Sequence, residues 1–596
     1  MEEVKRQQVF EPVYHYVDDG REHGLLSRFE PGVRVLEAGY QVASMFKPLP
    51  MPIVFEKDAA VRMRDGVTIY VDVFRPTGQE KVPVIVAWSP YGKSGGTAPR
   101  TVKLFNVLGM DNSMLSGLAK FEGPDPAYWC SQGYAVCNPD ARGVAHSEGN
   151  IHMIGTQEGR DGYDLIEWLA TQDWCNGRVA LSGTSYLAFS QWFIAAEQPP
   201  HLAAINPNEG LSDAYRDLCM RGGMPDLAFT KRLQINHVNA NASALREDVY
   251  EEALRNPLAN NSVWADKIPK FDRIIVPAYV VASYSNTLHT QGTFRAWRRM
   301  ASEAKWLRIH NSQEWPDYYD AHSTEDRLLF FNYYLKGDKN GWAKTPQVRY
   351  AVLDLEGNDR LEQPAESFPP GDITDVKYYL DGMRRTLSPQ APEQELKATY
   401  CTETGLDLSD PNSSDPGKVS FIVRFEKETV VVGYPKVHLW VEAEGADDMD
   451  LFVLVQKLDC RGNHLAQFLV PNQGAIMGDL TEHGASVLRY KGSNGRLRVS
   501  ARHLDKQLST DTVPAHTFDR VEKLKKGEIV EVEIDMLPIG MVFYPGEQLR
   551  LVVSGKNDLG AIMPGNPAFA PENKGRHVIH TGGSRASYIQ LPVKGG

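Results

Sequence analysis

The residues with the greatest capacity for chemistry lie in one run, Val179-Ala180-Leu181-Ser182-Gly183-Thr184-Ser185-Tyr186-Leu187-Ala188. Small and apolar residues lead into a glycine, a serine follows two places later, and Phe189, Trp192, Phe193 and Ile194 come next. The pattern predicts a strand, a tight turn and a buried helix. A serine at such a turn has an exposed hydroxyl, and the next amide N–H is free to donate. Gly-x-Ser also occurs in ordinary glycine turns before helices, so the chemistry depends on what else the chain brings to Ser185. A serine hydroxyl needs a base, and the base an orienting acid.

Bulk properties narrow the field. A chain of 596 residues is too long for one core, and 42% hydrophobic with 23% charged residues is ordinary for a soluble globular protein. A net charge of -12 argues against nucleic acid, whose phosphates call for concentrated Lys and Arg. The best basic cluster, Lys523-Leu524-Lys525-Lys526, is flanked by Glu522 and Glu528. No stretch reads as a signal peptide or a membrane span. The six cysteines lack metal-ligand spacing and suit a reducing compartment. A cytoplasmic enzyme acting on a small molecule, without cofactor or metal, is the expectation. The N-terminal extension and the C-terminal domain are the surfaces offered for a homodimer.

The elements that must position Ser185 follow from periodicity. Residues 1–52 read as an N-terminal extension. Around Asp65-Gly66 the alternation of Ala60–Arg64 and Thr68–Phe74 predicts a hairpin. Continuous apolar runs at Pro83–Trp88, Gly133–Asn138, Leu202–Asn206, Ile274–Ala282 and Trp306–Ile309 alternate with helical segments such as Asp161–Leu169. That alternation predicts an α/β core with a mainly parallel sheet over 53–210 and 271–345. Residues 211–270 read as a helical cap. From 346 to 596 short alternating segments separated by turns, Gln347–Leu353 among them, predict a jelly-roll β-sandwich.

Several stretches together resemble the cocaine esterase and X-prolyl dipeptidyl peptidase-like (CocE/NonD) family of serine hydrolases. They are Pro90-Tyr91, Arg142-Gly143 with Ser147-Glu148-Gly149, Ile166-Glu167-Trp168, Gly183-Thr184-Ser185-Tyr186, Leu497-Arg498-Val499-Ser500 and Pro545-Gly546 with Leu549-Arg550-Leu551. The resemblance runs from about residue 53 to the end. It implies an α/β-hydrolase core with a helical cap and a C-terminal jelly-roll, and acyl chemistry on esters or amides. Carried over, Ser185 is the nucleophile, and the Tyr91 hydroxyl and Tyr186 backbone N–H meet the developing oxyanion.

The base and acid depart from the family pattern. Where the family has an aspartate after the strand ending near Ala282, this chain reads Ser283-Tyr284-Ser285-Asn286-Thr287-Leu288-His289, with Ser285 at the aligned place. Where the family has its histidine, ungapped counting arrives at Glu314, and His310 stands at the strand end. Three readings follow. His310 is the base, with Glu314, Asp317 or Glu209 as its acid. Alternatively Glu314 is itself the acid or base, with His289 or His310 positioning substrate, as would suit a non-hydrolytic cyclase, lyase or acyltransferase of specialised metabolism. In the third, the site is inactive and the fold binds a ligand. Lys93 reads as a solvated side chain, and Phe105, Met110 and Met114 as shaping an acyl pocket.

The expectation is therefore a serine hydrolase acting on a small ester, lactone, thioester or amide through acyl-Ser185. His310 and Glu314 are the catalytic partners, and Tyr91, Tyr186 and His289 contact substrate.

Overall fold

The computed structural model describes residues 9–16, 28–78, 81–236, 244–355, 358–402, 417–469, 488–560, 562 and 569–595. Parts of the N-terminal extension, the cap and the C-terminal half as drawn above lie outside them.

One sheet of eleven strands organises the first half. In chain order these are β1 (Gly32–Leu36), β2 (Ile53–Arg62), β3 (Thr68–Pro76), β4 (Val82–Val86), β5 (Ala135–Asp140), β6 (Cys175–Thr184), β7 (Leu202–Asn208), β8 (Ala278–Ser283), β9 (Lys305–His310), β10 (Val348–Val352) and β11 (Arg360–Ala365). The spatial order is β11-β10-β9-β8-β7-β6-β4-β5-β3-β2-β1. Strands β4 to β10 run parallel, with antiparallel pairs at both edges. The parallel centre is covered by helices on both faces: every residue of β4 and β8 is buried. The expected hairpin is β2–β3, turned at Gly66 with φ 91°.

Five helices matter to the site. They are α1 (Thr156–Ala170), α2 (Tyr186–Ala196), α3 (Thr290–Arg299), α4 (Glu314–Tyr319) and α5 (Ala321–Phe331). Helix α2 is buried at every position, which explains why its sequence shows no polar face.

The sheet takes more of the chain than periodicity suggests. Gly32–Leu36, read as extension, forms its outer strand β1. Gln347–Leu353, read as the first strand of the β-sandwich, instead supplies β10, and β11 pairs with it. A break at 345 therefore falls inside the first sheet. An alternating strand reads the same in either domain; what decides is that β9 presents an open parallel edge. The segment read as a helical cap also holds short strands at Met220–Arg221, Met224–Pro225 and Leu245–Glu247 beside its helices.

The C-terminal β-sandwich is built almost wholly from antiparallel strands, among them Ile373–Asp381, Lys436–Glu444, Asp450–Leu458, Gln548–Ser554 and Tyr588–Lys594. It is fastened to the first sheet just beyond β10. Leu353 N–H donates to Gly540 O at 2.8 Å and Val542 N–H to Leu353 O at 3.1 Å. Gly540 must be glycine: a Cβ there would stand 2.4 Å from Tyr284 Cε2 and 2.6 Å from Ala351 O. Tyr284 opens the loop after β8, so the sandwich braces a loop of the α/β core.

Gly540→Ala is expected to cost about 1–3 kcal/mol, since backbone on one side and a buried ring on the other leave no room to relax. Urea unfolding of the variant beside the wild type measures it.

Candidate active site

Ser185 joins β6 to α2 with φ 62° and ψ -117°, a left-handed conformation that a non-glycine residue rarely adopts. Its N–H bonds the carbonyls of Asn208 and Glu209 at 3.1 Å each, and its own carbonyl accepts from Ala188 and Phe189. Gly183 lets the helix close in: a Cβ there would lie 2.5 Å from Leu187 Cβ. The turn is thus the strained strand-to-helix elbow expected from Gly-x-Ser, and it presents Ser185 Oγ at the C-terminal edge of the sheet.

The side chain facing that hydroxyl is His289, at the end of the loop between β8 and α3. Its Nε2 is 3.1 Å from Ser185 Oγ. Asn286 shapes the loop: its Oδ1 accepts from the N–H groups of Leu288 and His289, at 3.1 and 3.2 Å. With its oxygen so engaged, its Nδ2 points at His289 Nδ1 (2.9 Å) and donates to Glu314 Oε2 (2.6 Å). Glu314 Oε1 is 3.8 Å from His289 Nδ1. An amide N–H facing Nδ1 makes Nδ1 the acceptor, so the ring hydrogen sits on Nε2 and is directed at Ser185 Oγ. Burial holds the His289 imidazole far below its usual range, and only the charge of Asp217 opposes this, so the ring is neutral at pH 7.

Three buried carboxyls surround this pair. Glu314 begins α4, and its pKa is pushed well up by burial, then by the charges of Glu209 and Glu122. Glu122, whose carbonyl accepts from Thr184 N–H and whose Oε1 accepts from the Trp315 indole at 2.9 Å, is also pushed well up by burial. Glu209 is 1% exposed. Single ligand atoms of Glu209, His289 and Glu314 come within 4.8 Å of one another, as a metal site requires. Both His289 nitrogens are already engaged, by Ser185 and Asn286, so the set fits a proton relay better than an ion.

The expected partners of Ser185 are therefore rearranged. His310 does not face Ser185: its Nε2 is 2.5 Å from Glu209 Oε1, and Ser312 N–H points at its Nδ1 at 3.3 Å. It also lies 3.7 Å from Asp317, which is held well below the carboxylate range, against its burial, by the bidentate Arg308 guanidinium. Ser285, at the family's aspartate place, donates to Ser312 O at 3.4 Å and has no part in the relay. His289, expected to meet substrate, stands where a base stands, and Glu314 behind Asn286 where an acid stands. The histidine and the carboxylate have exchanged loops. Asn286 was missed altogether, although Asn-x-x-His is a legible signal: an Asx turn brings the residue three places on back over its own loop.

Tyr91 is buried, its ring 5.6 Å from that of Tyr186 and 5.7 Å from that of Phe121. The Tyr186 hydroxyl is turned inward, donating to Glu158 (2.8 Å) and accepting from Ile154 N–H. Only its backbone is left for the site. Lys93 is not solvated; it is 2% exposed and pairs with Asp58 at 2.6 Å and Asp140 at 2.8 Å, fixing the loop that carries Tyr91. Phe105 packs with Phe121 and Trp315 beside the site and Met110 is buried, whereas Met114 is 45% exposed.

Comparison with known proteins agrees with this architecture. The X-Pro dipeptidyl-peptidase (S15 family) profile matches residues 65–313, and the X-Pro dipeptidyl-peptidase C-terminal non-catalytic domain matches 340–590. A crystal structure of a CocE/NonD family hydrolase from Staphylococcus aureus is 32% identical, covers 95% of this chain and 97% of its own, and superimposes with a TM-score of 0.84. Cocaine esterase of Rhodococcus sp. (strain MB1 Bresler) is 24% identical over 89% of this chain and 97% of its own length. An aminopeptidase from a marine sediment archaeon (Thaumarchaeota archaeon) shares the fold at 16% identity and TM-score 0.65, over 91% of this chain and 97% of its own.

A carboxyl held protonated by burial is a stability liability as pH rises. The folded pKa of Glu314 is raised above its ordinary 4.5. The folded state therefore binds the extra proton above that pH, and stability falls as pH climbs toward the folded value. Glu314→Gln removes that titration. The stability of the variant relative to wild type is expected to increase as pH rises above about 5 in paired thermal melts.

Proposed function

The chain belongs to the CocE/NonD family of hydrolases, and on that premise we propose that it cleaves a small ester, lactone, thioester or amide through an acyl-Ser185 intermediate. The observation that carries the proposal is the 3.1 Å contact between Ser185 Oγ and His289 Nε2 at a strained elbow. Family membership supports serine-type esterase or peptidase chemistry; the substrate class and the residue roles are our reading.

In the proposed mechanism Ser185 Oγ attacks the acyl carbon as its proton passes to His289 Nε2. The resulting imidazolium gives that proton to the leaving alcohol, thiol or amine. Water then repeats the sequence and frees the acid. The negative charge on the carbonyl oxygen meets the Tyr186 N–H, at the first position of α2, and the Tyr91 hydroxyl. Accepting a proton at Nε2 requires the other His289 tautomer, with its hydrogen on Nδ1. Glu314 is the acid placed to receive that N–H, and the Asn286 amide stands between them. In this reading Asn286 must turn aside for the relay to run, and Glu314 closes up behind His289. The neutral, buried His289 suits a base that works below the usual imidazole range. A cytoplasmic setting belongs to the same proposal; the six cysteines are free thiols, four of them buried.

One observation favours a second reading. The carboxyl of Glu314 is pushed well up by burial, as a general acid requires. With Glu314 as acid, the same pocket would serve a cyclase, lyase or acyl transfer in which water is not the acceptor.

Fluorophosphonate labelling with intact-mass readout tests the first reading: wild type is expected to gain one adduct and Ser185→Ala none. Ester hydrolysis should fall by about a thousandfold or more in Ser185→Ala and His289→Ala, and far less in His310→Ala. The acid limb of kcat/KM should lie below pH 6.5, the ordinary histidine value. Unchanged turnover in His289→Ala with loss only in Glu314→Gln would transfer the role to the carboxyl. Asn286→Asp puts an acceptor where the amide N–H now faces Nδ1 and should raise kcat/KM by about tenfold.

A further inference from the structure

The α3 helix, the cap and the β-sandwich enclose a cavity of about 450 Å³ that has no part in the mechanism above. Thr287 and Leu288 touch it from the loop that carries His289, but Ser185 and His289 are not on its wall. Six guanidinium groups line it: Arg216 and Arg221 from the cap, Arg295, Arg298 and Arg299 from α3, and Arg496 from the β-sandwich. The carboxylates on the same wall are Asp213, Asp217 and Asp535.

The arginines outnumber their partners. Arg216 pairs with Asp213 at 3.0 Å and Arg295 with Asp217 at 2.5 Å. Arg221 and Arg496 share one carboxylate, Asp226, at 3.5 and 2.8 Å. Asp535 accepts from Gln291, and its pKa is pushed up to about 6 by burial. Arg298 and Arg299 make no ion pair within 4 Å among the described residues; they lie over the rings of Tyr434 and Phe271, at 4.7 and 5.1 Å, Arg298 bonding the Tyr434 hydroxyl and acting on Asp535 from a distance, as Asp213 and Asp272 act on Arg299. The like charges are close enough to be felt: Arg221 is pushed down to about 10 by burial and then by Arg496. Lining the same cavity is His516, 6% exposed, whose imidazole bonds the Glu533 backbone. Six guanidiniums facing four carboxylates call for a further acceptor.

We propose that this cavity is a binding site for a small oxyanion carrying two or more negative charges, a phosphoryl group or a polycarboxylate. Arg298 and Arg299 meet the anion from α3 and Arg496 meets it from the sandwich. The site is separate from Ser185 and does not depend on the hydrolytic reading. It has a route to the catalytic loop, because Arg221 Nη2 donates to Thr287 O at 2.5 Å, one residue from Asn286 and two from His289.

Titration calorimetry of the full chain with pyrophosphate and with citrate, in low salt and with chloride as control, tests it. One saturable site per chain is expected, weakening as salt is raised. Tighter pyrophosphate identifies a phosphoryl ligand and tighter citrate a polycarboxylate. Arg298→Gln/Arg299→Gln, at two exposed lining residues, should weaken binding by about tenfold or more with thermal stability kept, and Ser185→Ala should not weaken it. Absence of saturable binding of both anions, or equal binding by the folded double variant, overturns the proposal.

Discussion

Everything about the site depends on one backbone residue held where it does not prefer to be. A left-handed serine costs about 1–3 kcal/mol, so Ser185 keeps that conformation only because its surroundings over-determine it. Its N–H is captured by two carbonyls at the end of β7, its carbonyl opens α2, and the missing Cβ of Gly183 admits Leu187. These constraints belong to the centre of a parallel sheet, the most deeply buried part of the fold. The elbow is rigid because the strands on either side cannot move.

The second constraint is electrostatic. Glu122, Glu209, Glu314, His289 and His310 lie buried together at the C-terminal side of β6 to β9, each no more than 4% exposed. Adjacent buried carboxyls resist ionisation: burial pushes both Glu122 and Glu314 well up, and the charges of Glu209 and Glu122 push Glu314 further. The two histidines divide the pocket, one at Ser185 and one at Glu209. Asn286, satisfied on all sides, keeps them from competing for one acid. A pocket so arranged stores protons at positions next to a nucleophile, which is what acyl chemistry asks of it.

The β-sandwich takes part in this from a distance. Through Leu353 and Gly540 it presses on Tyr284 at the root of the loop that carries Asn286 and His289. Through Arg496 and His516 it forms a wall of the cationic cavity behind the same loop. One loop is therefore loaded on one side by the elbow and on the other by a second domain.

The sequence by itself determined the elbow, the parallel core and the β-rich second half. Those depend on local rules: Gly183 two places before Ser185, apolar runs at strand spacing, and turns at regular intervals. It also carried enough of its family's order for the resemblance to be legible. Which side chain faces Ser185 was decided only by tertiary structure, because His289 and His310 both follow central strands, one six residues past the end of β8 and the other at the end of β9, and local sequence cannot rank them. The choice is made by the Asx turn of Asn286, which folds His289 over the elbow, and by Glu209, which draws His310 away. The placement of Gln347–Leu353 was likewise a tertiary decision: an alternating strand fits either sheet, and the open edge of β9 claimed it. Pairing across a fold is a contest among distant partners, and one strand or one histidine does not record who wins.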